Sequence, residues 1–324
     1  MNSFASQAPG TDEAPVPSSP ESPLGPVGAA PTGERSTGDR PAEGRTRGRI
    51  GRGRIIVSLS VVACYVVAAV IGPILLRYDP VATDLTARLK PPGTRLPDGS
   101  LAVFGTDQVG QDLLAQMMQG ARVSIMVGAA TLLLAGTIGV AAGLVAGYFG
   151  GWLDAVLMRL ADVQLTFPSI LLAILIAAIL GPSVLNVIIV LSISNWVTFA
   201  RVTRSQVLAL KERDFVDATR TLGARTWHLV TRSILPAAAA PILVVATVDL
   251  GHVILAEASL SFLGLGTPTS TPSWGMTIAN GRNYLSNAWW ISTIPGIGLA
   301  GLLVSLGVLG DALRDRFDPR LRSM

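Results

Sequence analysis

The chain has 324 residues, of which 50% are hydrophobic and only 14% charged, with a mean hydropathy of +0.52. Soluble domains carry about 25% charged residues, so this chain lacks the polar surface to face water all round, and its basic residues sit in short clusters between apolar runs rather than along a nucleic-acid-binding face. Cys64 is the single cysteine, so a disulfide within the chain is excluded.

Residues 1–49 hold eight prolines among many Gly, Ser, Thr and Ala. Such a segment buries too little apolar surface to offset its ordering entropy, and it reads as a disordered tail. The apolar run starts too late for a cleavable signal peptide. A cluster of arginines, Arg45, Arg47, Arg49, Arg52 and Arg54, leads into the first span, 55–76. At about 1.5 Å per residue such a run crosses a hydrocarbon core of roughly 30 Å. Further spans are expected at about 123–147, 155–180, 184–207, 237–260 and 289–309, giving an all-α membrane protein with six transmembrane helices.

Arginine and lysine placement sets the expected orientation. The arginine cluster before the first span, the 201–236 loop and the segment after the last span hold 16 basic residues, against five at Arg77, Arg88, Lys90, Arg95 and Arg282 on the other side. The positive-inside rule then puts both termini and the 201–236 loop in the cytoplasm. The outer segment 77–106 reads as an ordered loop ending in an N-cap at Thr106–Asp107. Residues 107–120 form either an amphipathic interfacial helix or an extension of the second span. That span carries Gly139, Gly143 and Gly147 at four-residue spacing, a face suited to close helix packing.

Neither lysine, Lys90 or Lys211, follows a glycine, so there is no Walker-A phosphate loop. His228 and His252 lack the neighbours of a zinc site, and no nucleophile elbow is present. The chain therefore reads as a non-enzyme holding no cofactor. Asp249, His252 and Glu257 stand out inside the fifth span, where ionisable groups mark a pore lining, a relay or a buried pair. Asp249 and His252 share a helix face, and Glu257 is expected near the outer interface.

The stretch 201–236 is the most specific part of the sequence. Asp214 is expected to cap a short helix, 215–222, which Gly223 ends. A second short helix spans 225–234, and Pro236 opens the fifth span. Phe215, Leu222, Trp227 and Leu229 would give this knob an apolar face for a cytoplasmic partner.

At these residues a resemblance is plain. Asp217-Ala218-Thr219-x-x-x-Gly223, closing at Ile234-Leu235-Pro236, resembles the signature loop of membrane subunits of binding-protein-dependent ABC importers. It differs in having Asp217 for Glu, Thr219 for the second Ala, and Ser233 where a larger apolar residue is common. The blocks 104–125, 147–163, 254–266, 271–275 and 309–322 resemble the dipeptide/oligopeptide permease family, its C-type membrane subunit, from about residue 50 to the end. The last block matches at Gly310, Asp311, Arg314, Asp315, Asp318, Pro319 and Arg320. A basic stop-transfer tail is the plainer reading of that block.

The resemblance implies the type I ABC importer membrane-subunit fold over 50–324, in a bacterial plasma membrane. It implies a second related permease subunit, cytoplasmic subunits that bind ATP and Mg, and an extracytoplasmic substrate-binding protein. Phe215, Asp217, Ala218, Gly223, Trp227 and Pro236 are the expected contacts with the ATPase. Dipeptides or oligopeptides are the expected cargo, with glutathione or nickel chelates as alternatives. An ion-coupled secondary transporter using Asp249, His252 and Glu257 is the rival from another class.

Overall fold

The computed structural model describes residues 44–75, 81–96 and 99–317. The chain divides into two units, Met1–Glu43 and Gly44–Met324, and all described residues belong to the second. Most of the expected tail, together with Arg77 and the C-terminal positions Asp318, Pro319, Arg320 and Arg322, lies outside them.

Helix α1 (Gly44–Leu75) starts inside the segment assigned to the tail and carries the first span, Ile55–Gly72. Beyond it lie a single 3-10 turn, Leu85–Ala87, and a two-stranded antiparallel hairpin, β1 (Thr94–Arg95) with β2 (Leu101–Ala102). Helix α2 (Leu113–Phe149) is capped by Asp112, whose Oδ1 accepts from the Leu114 N–H at 2.7 Å. Asp107 is not the cap. Its carboxylate instead accepts from the Val109 and Gln111 N–H groups and from Gln116 Nε2, so residues 107–112 form a turn and no separate interfacial helix exists. The ordered segment before α2 is pinned to the far end of the chain by Trp290, whose Nε1 donates to the Thr106 carbonyl at 3.1 Å.

The third span departs most from expectation. Instead of one straight helix over 155–180 there are two, α3 (Gly151–Thr166) and α4 (Ser169–Leu180), bent by 87°. Pro168 forces the break. Its ring disfavours the helical conformation of the preceding residue, and Phe167 stands extended at φ −93°, ψ 132°. Helix α5 (Val184–Leu210) follows, then the short α6 (Asp214–Thr221). Helix α7 (Thr226–Leu229) passes through a π turn, Val230–Ile234, straight into α8 (Leu235–Phe262). The second short helix of the sequence reading is thus the first part of a 37-residue element rather than a separate piece. The π turn lies directly before Pro236, which lacks the N–H that the Arg232 carbonyl would accept in an α-helix. Helices α9 (Trp274–Gly281) and α10 (Trp290–Phe317) complete the described chain.

Among the described residues five helices are long and apolar enough to cross a membrane, giving six spans if the bent α3–α4 pair counts as one. The tightest seam joins α2 to α5, which run side by side in the same direction. Gly143 lies against the main chain of Ala200 and the Thr203 side chain, and Gly147 against Val207. Without a hydrophobic drive between helices in lipid, this close backbone approach supplies the dispersion contact. Trp274, fully buried, closes a second core. Its indole donates to the Met117 carbonyl and meets the Tyr65 ring edge-on at 5.7 Å.

Candidate coupling knob and intramembrane polar groups

Between α5 and α8 the chain makes a small folded knob. Its anchor is a buried cluster of Val207, Val216, Leu229 and Ile234, backed by Leu144, Tyr148 and Leu210. Leu229, which the sequence reading counted on the displayed face, is 1% exposed and belongs to this anchor. Asp214 is not the N-cap of α6. It is the first helical residue after Arg213 and lies in the first turn with Asp217, where carboxylates complement the helix dipole.

Helix α6 ends in a Schellman motif. The Gly223 N–H donates to the Arg220 carbonyl and the Ala224 N–H to the Thr219 carbonyl. Gly223 itself stands at φ +81°, a left-handed conformation that glycine adopts without steric cost. The turn throws three apolar side chains outward: Phe215 is 44% exposed, Leu222 88% and Trp227 77%. Asp217 and Ala218 are exposed between them, with the Asp217 carboxylate 3.2 Å from Arg220, and Pro236 is exposed further along. Trp227 also borders an apolar groove of about 450 Å³ with Leu144, Val145 and Phe149 of α2.

The three ionisable residues of α8 do not form one site. Asp249 is buried, one carboxylate oxygen lacks a hydrogen-bond partner, and the other lies 3.6 Å from His252 Nδ1, beyond hydrogen-bond range. The His252 side chain is 71% exposed and lines a cavity of about 300 Å³ with Ser169 of α4, Ser194 and Asn195 of α5, and Ser259. Glu257, expected at an interface, is instead fully buried. It accepts from Ser124 Oγ of α2 at 2.8 Å and from Ser261 Oγ at 2.7 Å. Sequence reasoning missed Ser124 because 133 positions separate it from its partner, and it missed Val216 because Val216 stands next to Phe215, and the sequence does not say which of two apolar neighbours turns inward. Among the described residues no group of three or more His, Cys, Asp or Glu is placed to hold a metal.

These elements define a many-span helical membrane protein with an ordered, apolar-faced loop between two of its spans. The model of the binding-protein-dependent transport system inner membrane component family matches residues 139–323, and the chain belongs to that family. It is 36% identical over 258 residues to the di/tripeptide transport system permease protein DppC of Pseudomonas aeruginosa, covering 80% of this chain and 85% of that one. It is 37% identical over 259 residues to the dipeptide transport system permease protein DppC of Alkalihalophilus pseudofirmus, covering 80% and 83%. Its fold is similar to that of a chain in the inward-facing MetNI methionine ABC transporter, with a TM-score of 0.51 at 18% identity, covering 63% of this chain and 97% of that one. The chain is therefore a multi-pass permease subunit, a transport component with the fold of ABC importer membrane subunits. The ion-coupled alternative is not favoured.

Proposed function

We propose that this permease subunit imports small peptides and takes its driving force from separate ATPase subunits seated on the 201–236 knob. The observation that carries the reading is the contrast within the knob. Val216, Leu229 and Ile234 fix it to the bundle, while Phe215, Leu222 and Trp227 face outward. Large apolar side chains held out by an ordered scaffold suit a protein interface, where aromatic anchors dominate binding energy. Phe215, Asp217, Ala218, Gly223 and Trp227 are its contact positions, with Pro236 behind them; ATP and Mg belong to the partner.

The basic residues of the knob and of the flanking segments orient both termini to the cytoplasm. The cavity holding His252, Ser194 and Asn195 opens on the α4–α5–α8 face. A histidine so exposed at membrane depth is costly against lipid, so this face turns toward a second permease subunit and the water-filled path between the two. An extracytoplasmic binding protein delivers the peptide from the other side.

The test is reconstitution of the whole complex in liposomes. Peptide uptake should require ATP on the knob side and persist with an uncoupler present. Uptake driven by a proton gradient without ATP would overturn the reading.

A further inference from the structure

The cavity on the α4–α5–α8 face is walled by side chains that carry no fixed charge. Ser169, Ser194, Asn195 and Ser259 offer hydroxyls and an amide, and His252 is the one lining residue able to change its charge. Ser194, Asn195 and Ser259 each donate to a carbonyl one turn back in their own helix, at 3.0, 2.7 and 2.8 Å. Their hydrogen bonding is local and not organised around a guest. Such a wall suits passage rather than capture.

The charged groups around it are hidden or paired. On α8 itself, Asp249 is buried one turn from His252, with Oδ1 3.6 Å from Nδ1, and Glu257 is fully buried and bonded to Ser124 of α2. Helix α4 contains no charged residue. On α5 the nearest is Arg201, six positions from Asn195 and ion-paired with Asp162 of α3. An imidazole ordinarily changes its charge between about pH 5 and 8. Whichever state Asp249 holds, a proton gained by His252 adds one positive charge to the wall, on a side chain that is 71% exposed. That charge acts at range. At an effective dielectric of about 20, two like charges about 12 Å apart already shift an equilibrium about tenfold. A cationic cargo is therefore discriminated against without touching His252, and no particular binding pose is needed.

We propose that His252 is a specificity-determining residue of the path, which in its protonated form turns away peptides with a basic side chain while admitting neutral ones. The proposal rests on the reading that this face borders the translocation path, and adds to it a selectivity set by the permease rather than by the binding protein.

The experiment measures uptake of labelled Ala-Lys and Ala-Ala by proteoliposomes holding the complete complex with its binding protein, at about pH 8 and at about pH 5.5 on both sides of the membrane. The wild-type complex should lose about tenfold in kcat/KM for Ala-Lys relative to Ala-Ala at the lower pH. His252→Asn, uncharged at both, should remove that loss. His252→Lys, charged at both, should show the low ratio already at the higher pH. The binding protein is the same in every arm, so a loss that persists in His252→Asn belongs to it and overturns the proposal. So does a His252→Lys complex that slows both peptides alike, the mark of a merely structural role. A Ser259→Cys variant in a Cys64→Ser background separates these outcomes from failure of the path reading. Its new thiol should react with a charged, membrane-impermeant reagent, as located by peptide mass. No reaction in any nucleotide state overturns the path reading and the proposal with it; reaction with an unshifted peptide ratio overturns the proposal alone.

Discussion

Arg204 grips Asp154 with two nitrogens, Nε on Oδ1 and Nη2 on Oδ2, the latter at 2.6 Å. The pair ties the start of α3 to α5, just before α5 gives way to the knob. Both side chains are largely shielded, at 32% and 21% exposure. Exposed ion pairs contribute about 0–1 kcal/mol, but a bidentate, partly desolvated one should exceed that range. Asp154→Asn and Arg204→Gln should each lower thermal stability in lipid. The double variant should lose less than the sum of the two, with a coupling of about 1 kcal/mol or more. Strict additivity of the two losses would show that the pair contributes nothing.

The α2–α5 seam makes opposite predictions for two glycines on one helix. A Cβ at Gly143 would lie 2.7 Å from Thr203 Cβ and against the Ala200 carbonyl, which cannot move without parting the helices. Gly143→Ala should destabilise the subunit by about 1–3 kcal/mol, the usual cost of overpacking. At Gly136 the nearest atom is a Phe199 ring carbon at 3.9 Å, so Gly136→Ala meets no clash and removes a poor helix former. Thermal unfolding of the two variants side by side should show Gly143→Ala well below wild type and Gly136→Ala level with it or above.

Glu257 joins α2 to α8 through Ser124 and lies in the fully buried interior rather than on the cavity side of His252. Glu257→Ala removes two hydrogen bonds and leaves a void, and should cost about 2–5 kcal/mol. Ser124→Ala should cost about 1 kcal/mol, since one donor is lost and the carboxylate keeps Ser261. If Glu257→Ala kept full stability while uptake collapsed, Glu257 would be part of the transport path and not of the frame.

Much of this architecture is legible in the chain because the signals are local and long. Runs of twenty or so apolar residues specify spans wherever they occur, and the glycine spacing of α2 marks the seam before its partner is known. What was not legible depends on single residues or distant partners. Pro168 breaks an apolar run whose composition alone reads as one helix. The π turn before Pro236 fuses two pieces that a proline would ordinarily separate. Leu229 could be exposed or buried on pattern alone, and only the position of Val207 and Val216 decides it. The same holds for Glu257: distance along a helix places it near an interface, but Ser124 and Ser261 are what make its burial tolerable.

The last prediction returns to Gly223. Its φ of +81° lies in the region where a side chain collides with its own backbone, although a Cβ there would meet no other atom within 4 Å. Any effect of substitution therefore comes from the main chain and not from crowding. A β-branched residue at this position is strained by roughly 1–3 kcal/mol, which α6 escapes by giving up its Schellman turn. That release would swing Phe215 and Leu222 away from their places while the anchor of Val207, Leu229 and Ile234 stays buried. Gly223→Val should accordingly insert and unfold like wild type yet lose ATPase co-purification and peptide uptake together. Phe215→Ala, which removes one exposed anchor without touching the backbone, should weaken partner binding by about 30-fold, or 2 kcal/mol. Gly223→Asn, which tolerates the left-handed region, should recover most of the loss. The measurements are subunit co-purification, ATPase rate and uptake on one preparation of each variant. Wild-type values in all three for Gly223→Val would remove the knob from the coupling interface.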